Sequence, residues 1–447
     1  MGRLYRPRAL LRLAVAVPGQ TEPIAFEVPV VRARHVKNDH NHADTLDVTL
    51  DWADTGVDPR WIASAIGEYH LGVANDAGAW EPTKDNRRFI GRLVEVSRIG
   101  EGDSLHVEMT FHDYTSFFLL AKPVSTDAIP SYSDTLDQAW SRLCGTVPGA
   151  LELDELELRG LEETPVIGTA VAERFRKRGH LAVKPGLDAW AVWQQAVGMM
   201  GLISFFEADT CIVTTARDLY TSLNPPQIVY GRNLFSFSEH RNNDRVAKGV
   251  IVTSFDAVSG TAIEAAFNPH AGNVKKLGAK GKKSKKPKFL DVSKEYDVFP
   301  YPGITDQTTL KALAERIYVE RIRQELEGAA TTKDFDVETA SGVDFDLLSL
   351  GSGDAVEIRF LGDEDAAFVK KFDTQQQRSS YLQRIGYSPS VADIIAANVD
   401  KISSRSNLFH VKSVTTNLET TGDGGGSFSV ELSYCNKIDV GGGTQEP

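Results

Sequence analysis

Along Phe428, Val430, Leu432 and Tyr434, apolar residues alternate without a break against Ser427, Ser429, Glu431 and Ser433. A period of two is the repeat of an extended strand, whose side chains point to opposite faces in turn. Such a segment can bury one face and wet the other only as β-structure. The signature recurs in Leu46, Val48, Leu50 and Trp52 against Asp47, Thr49 and Asp51. It recurs again in Leu105, Val107, Met109 and Phe111 against His106, Glu108, Thr110 and His112. Phe89 to Ile99 reads as a further strand, turned back by Gly100 to Asp103, and Leu13, Val15 and Val17 supply a first one. Short strands separated by turn signals predict a small barrel or sandwich over residues 1–122.

The pattern changes over residues 123–227, which read as a helix-rich α/β insertion. Helices are predicted near Ser133 to Cys144, Ile167 to Arg178 and Leu187 to Met200, followed by a hairpin from Ile203 to Phe206 and Ile212 to Thr215. The third helix is apolar on nearly every side, with Trp190, Trp193, Val197, Met199 and Met200, so it is expected to be buried. The acidic run from Leu151 to Leu158 alternates roughly by two and reads as an exposed strand or loop.

Residues 228–362 return to strands. Val250, Val252 and Ser254 alternate with Ile251, Thr253 and Phe255, and Ile263, Ala265 and Phe267 continue the alternation, which predicts an antiparallel meander. A helix is expected over 308–327, with Gly328 ending it, and strands over Lys333 to Glu338 and Ala355 to Phe360. Lys275 to Lys288 holds eight lysines among glycine, serine and proline and reads as an exposed loop. Nothing in it stacks on bases, so an acidic protein partner suits it better than nucleic acid, and a solvated loop with no partner suits it better still. Residues 363–447 predict a helical pair and a final hairpin, Phe409 to Leu418 with Phe428 to Asn436. Ser388 and Pro389 start the second helix, carried to about Ile402, and Val391, Ile394, Ile395, Val399 and Ile402 make one apolar stripe on it.

Little here points to chemistry. His40 and His42, with Asp39 and Asp44 beside them, are weak candidates for metal ligands, because an alternating pair on a strand puts both rings on one face. No third histidine stands near, and solvated loop histidines explain them better. The spacings of serine hydrolases, zinc proteases and phosphate-binding loops are missing, so no catalytic residue and no cofactor are assigned. Three widely separated cysteines form neither a metal pair nor a disulfide framework. A formal charge of −12 disfavours general affinity for nucleic acid, and no stretch has the apolar length of a membrane span. Arg12 within the short apolar run at the start argues against a signal peptide.

The segment Ile228 to Phe267, with Gly231, Asn233 and Leu234 ahead of the Val250 and Ile263 strands, and the later turn from Leu350 to Val356, resemble the hub proteins of phage tails and contractile injection machines. That group includes the phage late control D proteins and the base of valine-glycine-repeat spikes. The resemblance implies an α+β chain, mainly antiparallel β, with two β-barrel-like tail-hub domains and helical insertions. The first barrel would run from about Ala9 to Leu120. The second would gather Ile228 to Phe267, Lys333 to Phe360 and Phe409 to Asn436. It further implies a homotrimer whose six barrels match a hexameric tail tube on one side and a trimeric spike, a separate chain, on the other. Tail tube protein, spike or tip protein, tape measure protein and other baseplate proteins would be its partners. Its place would be the virion tail or an extracellular injection particle, after assembly in the producing cell's cytoplasm. The apolar stripe is one candidate subunit interface, and packing inside its own subunit is the reading preferred over it. The competing reading is a particle-associated enzyme, a cell-wall hydrolase or a nuclease. A carbohydrate-binding adhesin is a third, disfavoured because the tryptophans fall mainly in strand and helix patterns.

Overall fold

A computed structural model describes residues 7–40, 42–51, 58–73, 80–101, 104–147, 156–184, 186–220, 224–230, 232–242, 249–256, 260–268, 296–322, 325–339, 341–360, 368–400, 407–420 and 426–436. The first six strands are β1 (Pro7–Ala16), β2 (Ile24–Lys37), β3 (Thr45–Asp51), β4 (Ser64–Val73), β5 (Arg87–Glu101) and β6 (Ser104–His112). They pair antiparallel in the order β1-β4-β5-β6-β3-β2, and β2 pairs again with β1, so the sheet closes into a six-stranded barrel. Closure removes the unpaired edges that an open sheet of this size would present. The alternation read in the sequence sets the inside: Leu11, Leu13, Val15, Leu46, Leu50, Val107 and Phe111 are buried within it.

The insertion contributes helices α1 (Thr115–Leu120), α2 (Leu136–Cys144), α3 (Glu173–Arg176) and α4 (Ala189–Met199). It also contributes β7 (Leu156–Arg159), β8 (Leu202–Glu207) and β9 (Thr210–Thr215), followed by α5 (Ala216–Leu219). Instead of one helix over 167–178 there is a 3-10 turn at Ile167–Ala170 and the single turn α3, separated by an extended Val171 that bridges Ile304. As its composition requires, α4 is buried: Trp190 and Trp193 lie with Phe118, Trp140 and Phe206 in one aromatic cluster. Trp193 Nε1 donates to Ser204 Oγ at 2.8 Å, which satisfies the indole inside that core.

The second half supplies β10 (Gln227–Val229), β11 (Ser236–Arg241), β12 (Gly249–Asp256), β13 (Thr261–Phe267) and β14 (Tyr296–Pro300). After α6 (Gln307–Ile322) come β15 (Leu326–Thr332), β16 (Asp336–Glu338), β17 (Asp344–Asp346) and β18 (Ala355–Arg359). Helices α7 (Gln375–Arg384) and α8 (Pro389–Ala397) precede the last strands, β19 (Leu408–Thr420) and β20 (Gly426–Asn436). Six of these strands form a second unit in the order β10-β18-β19-β20-β15-β11, with one parallel ladder between β10 and β18. Its two ends meet at the turn after β10, where Leu234 N donates to Val229 O.

The two units are one sheet. The first half of β2 pairs with β1 and its second half, Arg32 to Lys37, pairs with β19. Likewise β19 gives Leu408 to His410 to β18 and Val414 to Glu419 to β2. Register breaks at Val30/Arg32 and Val411/Ser413 fall where each long strand changes neighbours, the place where a bulge lets a strand bend away. A continuous apolar cluster, from Leu11 through Val356 to Tyr434, runs across the junction.

Three further readings from sequence change. The hairpin β12–β13 does not join the second unit; with the parallel strand β14 it forms a separate three-stranded sheet packed on α6 through Val250, Val252, Phe267, Leu310 and Tyr318. Its alternation fixed the strands but not the sheet that receives them. Of residues 333–360, only β18 enters the second unit, and β16 pairs with β17 alone. The helix expected over 308–327 ends at Ile322, and Gly328 stands inside β15, where a Cβ would come within 2.3 Å of the Tyr434 ring. That glycine makes room for a neighbour and caps nothing. The lysine-rich segment 275–288 and Ile402 lie outside the described residues. No helix among the described residues is long and apolar enough to cross a membrane.

Candidate functional site

Strand β2 ends in Lys37-Asn38-Asp39-His40, and this polar end opens a cleft of about 280 Å³ where the first barrel, the insertion and the second unit meet. The barrel contributes Lys37, His40, His42, Asp44, Arg88 and Asp113; the insertion contributes Phe205 and Glu207; the second unit contributes Leu348 and Asp354. Lys37 Nζ donates to the carbonyl oxygens of Leu348 at 2.7 Å and Leu350 at 2.9 Å, more than three hundred residues along the chain. Asp44 accepts from Asn38 N at 2.7 Å and holds the β2–β3 turn. Asp113 accepts from Thr115 N at 3.0 Å at the start of α1, and Asp354 accepts from Gly351 N at 2.8 Å. Arg88 reaches Asp346 at 2.7 Å and Arg87 reaches Asp209 at 3.0 Å, so β5 is tied to both other parts.

Burial governs the electrostatics. Removal from water pushes the Asp44 carboxyl up to about 7, against the opposing pull of its bond from Asn38 N and of Lys37. Asp113 is raised well above the usual carboxylate range by burial and then by the charge of Asp44, and burial also raises Asp354. Burial lowers Lys37, with Asp44 and Asp354 acting against it. Near neutral pH the Asp44–Asp113 pair therefore retains a proton. His35, two residues earlier on the same strand, packs against Phe89 and Tyr69 and is lowered to about 3 by burial, so it stays neutral. Lys37 alone of these groups joins distant chain segments, through the carbonyls of Leu348 and Leu350. The carboxylates of Asp44, Asp113 and Asp354 each hold a turn of their own loop by accepting from nearby backbone N–H groups.

His40 and His42 both line this cleft but turn to different partners. The His40 ring lies 4.8 Å from that of Phe205, while His42 Nδ1 lies 2.5 Å from Asp39 Oδ1 in solvent. Among the described residues no group of three or more His, Cys, Asp or Glu side chains is placed to hold a metal ion. The apolar stripe divides. Because α8 ends at Ala397, Val399 lies beyond it, and Ile395 and Val399 turn inward onto Val369, Leu382 and Ala392. Val391 and Ile394 face outward, 41% and 61% exposed. Sequence reasoning missed the cleft itself, since Lys37, Asp44, Asp113 and Asp354 are ordinary polar residues scattered over the chain. The one available signal was the polar end of β2 interrupting an apolar run.

No protein-family model matches this sequence, and no curated protein is similar to it by sequence. Solved structures are similar in fold. The tail protein from Neisseria meningitidis MC58 superposes with a TM-score of 0.53 at 12% identity, over 95% of this chain and 96% of that one. The 43 kDa tail protein of prophage MuSo2 from Shewanella oneidensis does so with a TM-score of 0.53 at 8% identity, over 96% of this chain and all of the other. The chain has the fold of these tail proteins. The match runs through both strand units and the insertion, as the end-to-end coverage requires. At such identities it is the architecture that is shared, an α+β fold with barrel-like units.

Proposed function

We propose that the chain is a structural baseplate hub, a ring of three copies that joins the hexameric tube of a phage tail or contractile injection particle to a trimeric spike. The observation that supports it is the pairing of β2 with β19, which sets two six-stranded units side by side in one continuous sheet. Three such chains present six units, matching a sixfold tube, while the ring itself keeps the threefold symmetry of a tip. The fold shared with tail proteins agrees with this reading. Tube and spike proteins are then its main partners, with tape measure and other baseplate proteins beside them, and its place is the tail or baseplate of the particle.

The cleft agrees as well, because Lys37 is spent on backbone carbonyls that tie the barrel to the second unit. A hydrolase or nuclease role for the same particle makes the opposite claim. Light scattering and electron microscopy of the purified chain, with peptidoglycan and DNA cleavage assays, separate the two. A threefold ring inert in both assays is expected. A monomer at every attainable concentration, or cleavage abolished by alanine at His40 and His42, refutes the hub.

A further inference from the structure

The two units share one strand plan. In chain order the barrel uses β1 to β6, and the second unit uses β10, β11, β15, β18, β19 and β20. The spatial order in each is first, fourth, fifth, sixth, third, second. The likeness extends to single residues. The hairpins β5–β6 and β19–β20 each carry a register break, at Leu93/Glu95 and at Val411/Ser413. Aligned on that break, Val107, Met109 and Phe111 fall on Val430, Leu432 and Tyr434, all of them buried. The ladder from β4 to β5 stops at Arg92 and the ladder from β18 to β19 at His410, which is the same position. The units differ at β10, which runs parallel to β18 where β1 is antiparallel to β4.

Beyond that position β19 takes a strand from the other unit: Val414 to Glu419 pair with Lys37 to Arg32 of β2. The matching stretch of β5, Val96 to Glu101, pairs with β6 on one side, and among the described residues no strand pairs with its other side. Ile99 there is 40% exposed. The counterpart of β2 is β11. Met109 leads through Val48 to Ala33, and Leu432 leads through Ala330 to Phe237, so Ser236 to Arg241 correspond to Arg32 to Lys37. All six residues of β11 are exposed, and among the described residues they pair with β15 on one edge alone. Each chain thus makes the junction once and carries both of its halves a second time, unjoined.

We infer that β11 of one copy pairs antiparallel with Val96 to Glu101 of β5 in the next copy, repeating between chains the β2–β19 junction made within one. This contact rests on the ring reading above, and it joins two unlike surfaces head to tail, as rotational closure needs. Open strand edges supply backbone hydrogen bonds, and side chains choose the partner and register. Carrying over the β2–β19 register sets Arg98 opposite Glu239, Ile99 opposite Ser238 and Gly100 opposite Phe237. The first is a pair of opposite charges directly across the strands, as Arg32 and Glu419 are at 2.9 Å in the junction within the chain. In the third, a ring that is 45% exposed meets a position with no side chain.

Cysteines at Ile99 and Ser238 of the full chain test the register, since directly opposite residues on paired strands lie within disulfide reach. Under copper–phenanthroline oxidation, Ile99→Cys with Ser238→Cys is expected to give covalent dimers and trimers on a denaturing gel, and neither single variant is expected to do so. Charge reversal is the second test, read by light scattering with circular dichroism melts as the control for folding. Arg98→Glu alone should raise the concentration at which rings form by about fivefold or more. Arg98→Glu with Glu239→Arg should return it to that of the parent. A double-cysteine variant that assembles as the parent does without cross-linking, or a reversed pair no better than the single reversal, overturns the pairing and leaves the ring reading standing. A parent that stays monomeric at every attainable concentration overturns both.

Discussion

The strongest consequence of the cleft is a dependence of stability on pH that one substitution should remove. Asp44 ionises near 3.8 when unfolded and about 7 when folded, because burial disfavours its charge. Between these values the folded chain binds a proton that the unfolded chain has released, so stability falls as pH rises and the loss is complete above about 7. From about pH 5 to pH 8 the native group titrates over about two units below its folded value, which at about 1.4 kcal/mol per unit gives nearly 3 kcal/mol. Partial access of solvent to the cleft reduces this to about 2–3 kcal/mol. In Asp44→Asn the amide oxygen still accepts from Asn38 N, the proton is gone, and Asp113 loses a repelling neighbour, which acts in the same direction. Urea unfolding followed by tryptophan fluorescence at both pH values gives the comparison. The stability of the variant relative to the parent should rise by about 2–3 kcal/mol between pH 5 and pH 8. If parent and variant change in parallel, within about 0.5 kcal/mol, Asp44 does not titrate in this window and the account of the cleft is wrong.

Gly328→Ala should cost about 1–3 kcal/mol in urea unfolding, since its new methyl meets the fully buried Tyr434 ring; a neutral result would show that β15 and β20 can move apart. Ser204→Ala leaves the buried Trp193 N–H without its acceptor and should cost about 1–3 kcal/mol, with a changed fluorescence maximum. Ile395→Asp places a carboxylate in the small core shared by α7 and α8, so limited proteolysis should cut within 368–400 while the strand signal in circular dichroism persists. Loss of the whole fold would show that this pair is coupled to the barrels. Alanine at both His40 and His42 should leave ring assembly and particle function unchanged, because His40 packs on the Phe205 ring and His42 meets the half-buried Asp39 carboxylate, with no group of three metal-ligating side chains among the described residues.

Strand identity was legible because burial on one face imposes a period of two, and β3, β6 and β20 lie where that period runs. The buried character of α4 followed from tryptophans placed on several of its sides. Alternation is local, however, and does not name a partner. The pattern of Val250 to Phe267 fits any sheet, and only packing against α6 decided that it forms one of its own. Gly328 reads as a helix stop until Tyr434, over a hundred residues away, is set beside it. The stripe on α8 was visible, but which half faces inward depends on the helix ending at Ala397 and on the position of α7. The cleft had no signature at all. Lys37 and Asp354 acquire their character from desolvation, and desolvation exists only once the barrel, the insertion and the second unit have closed around them.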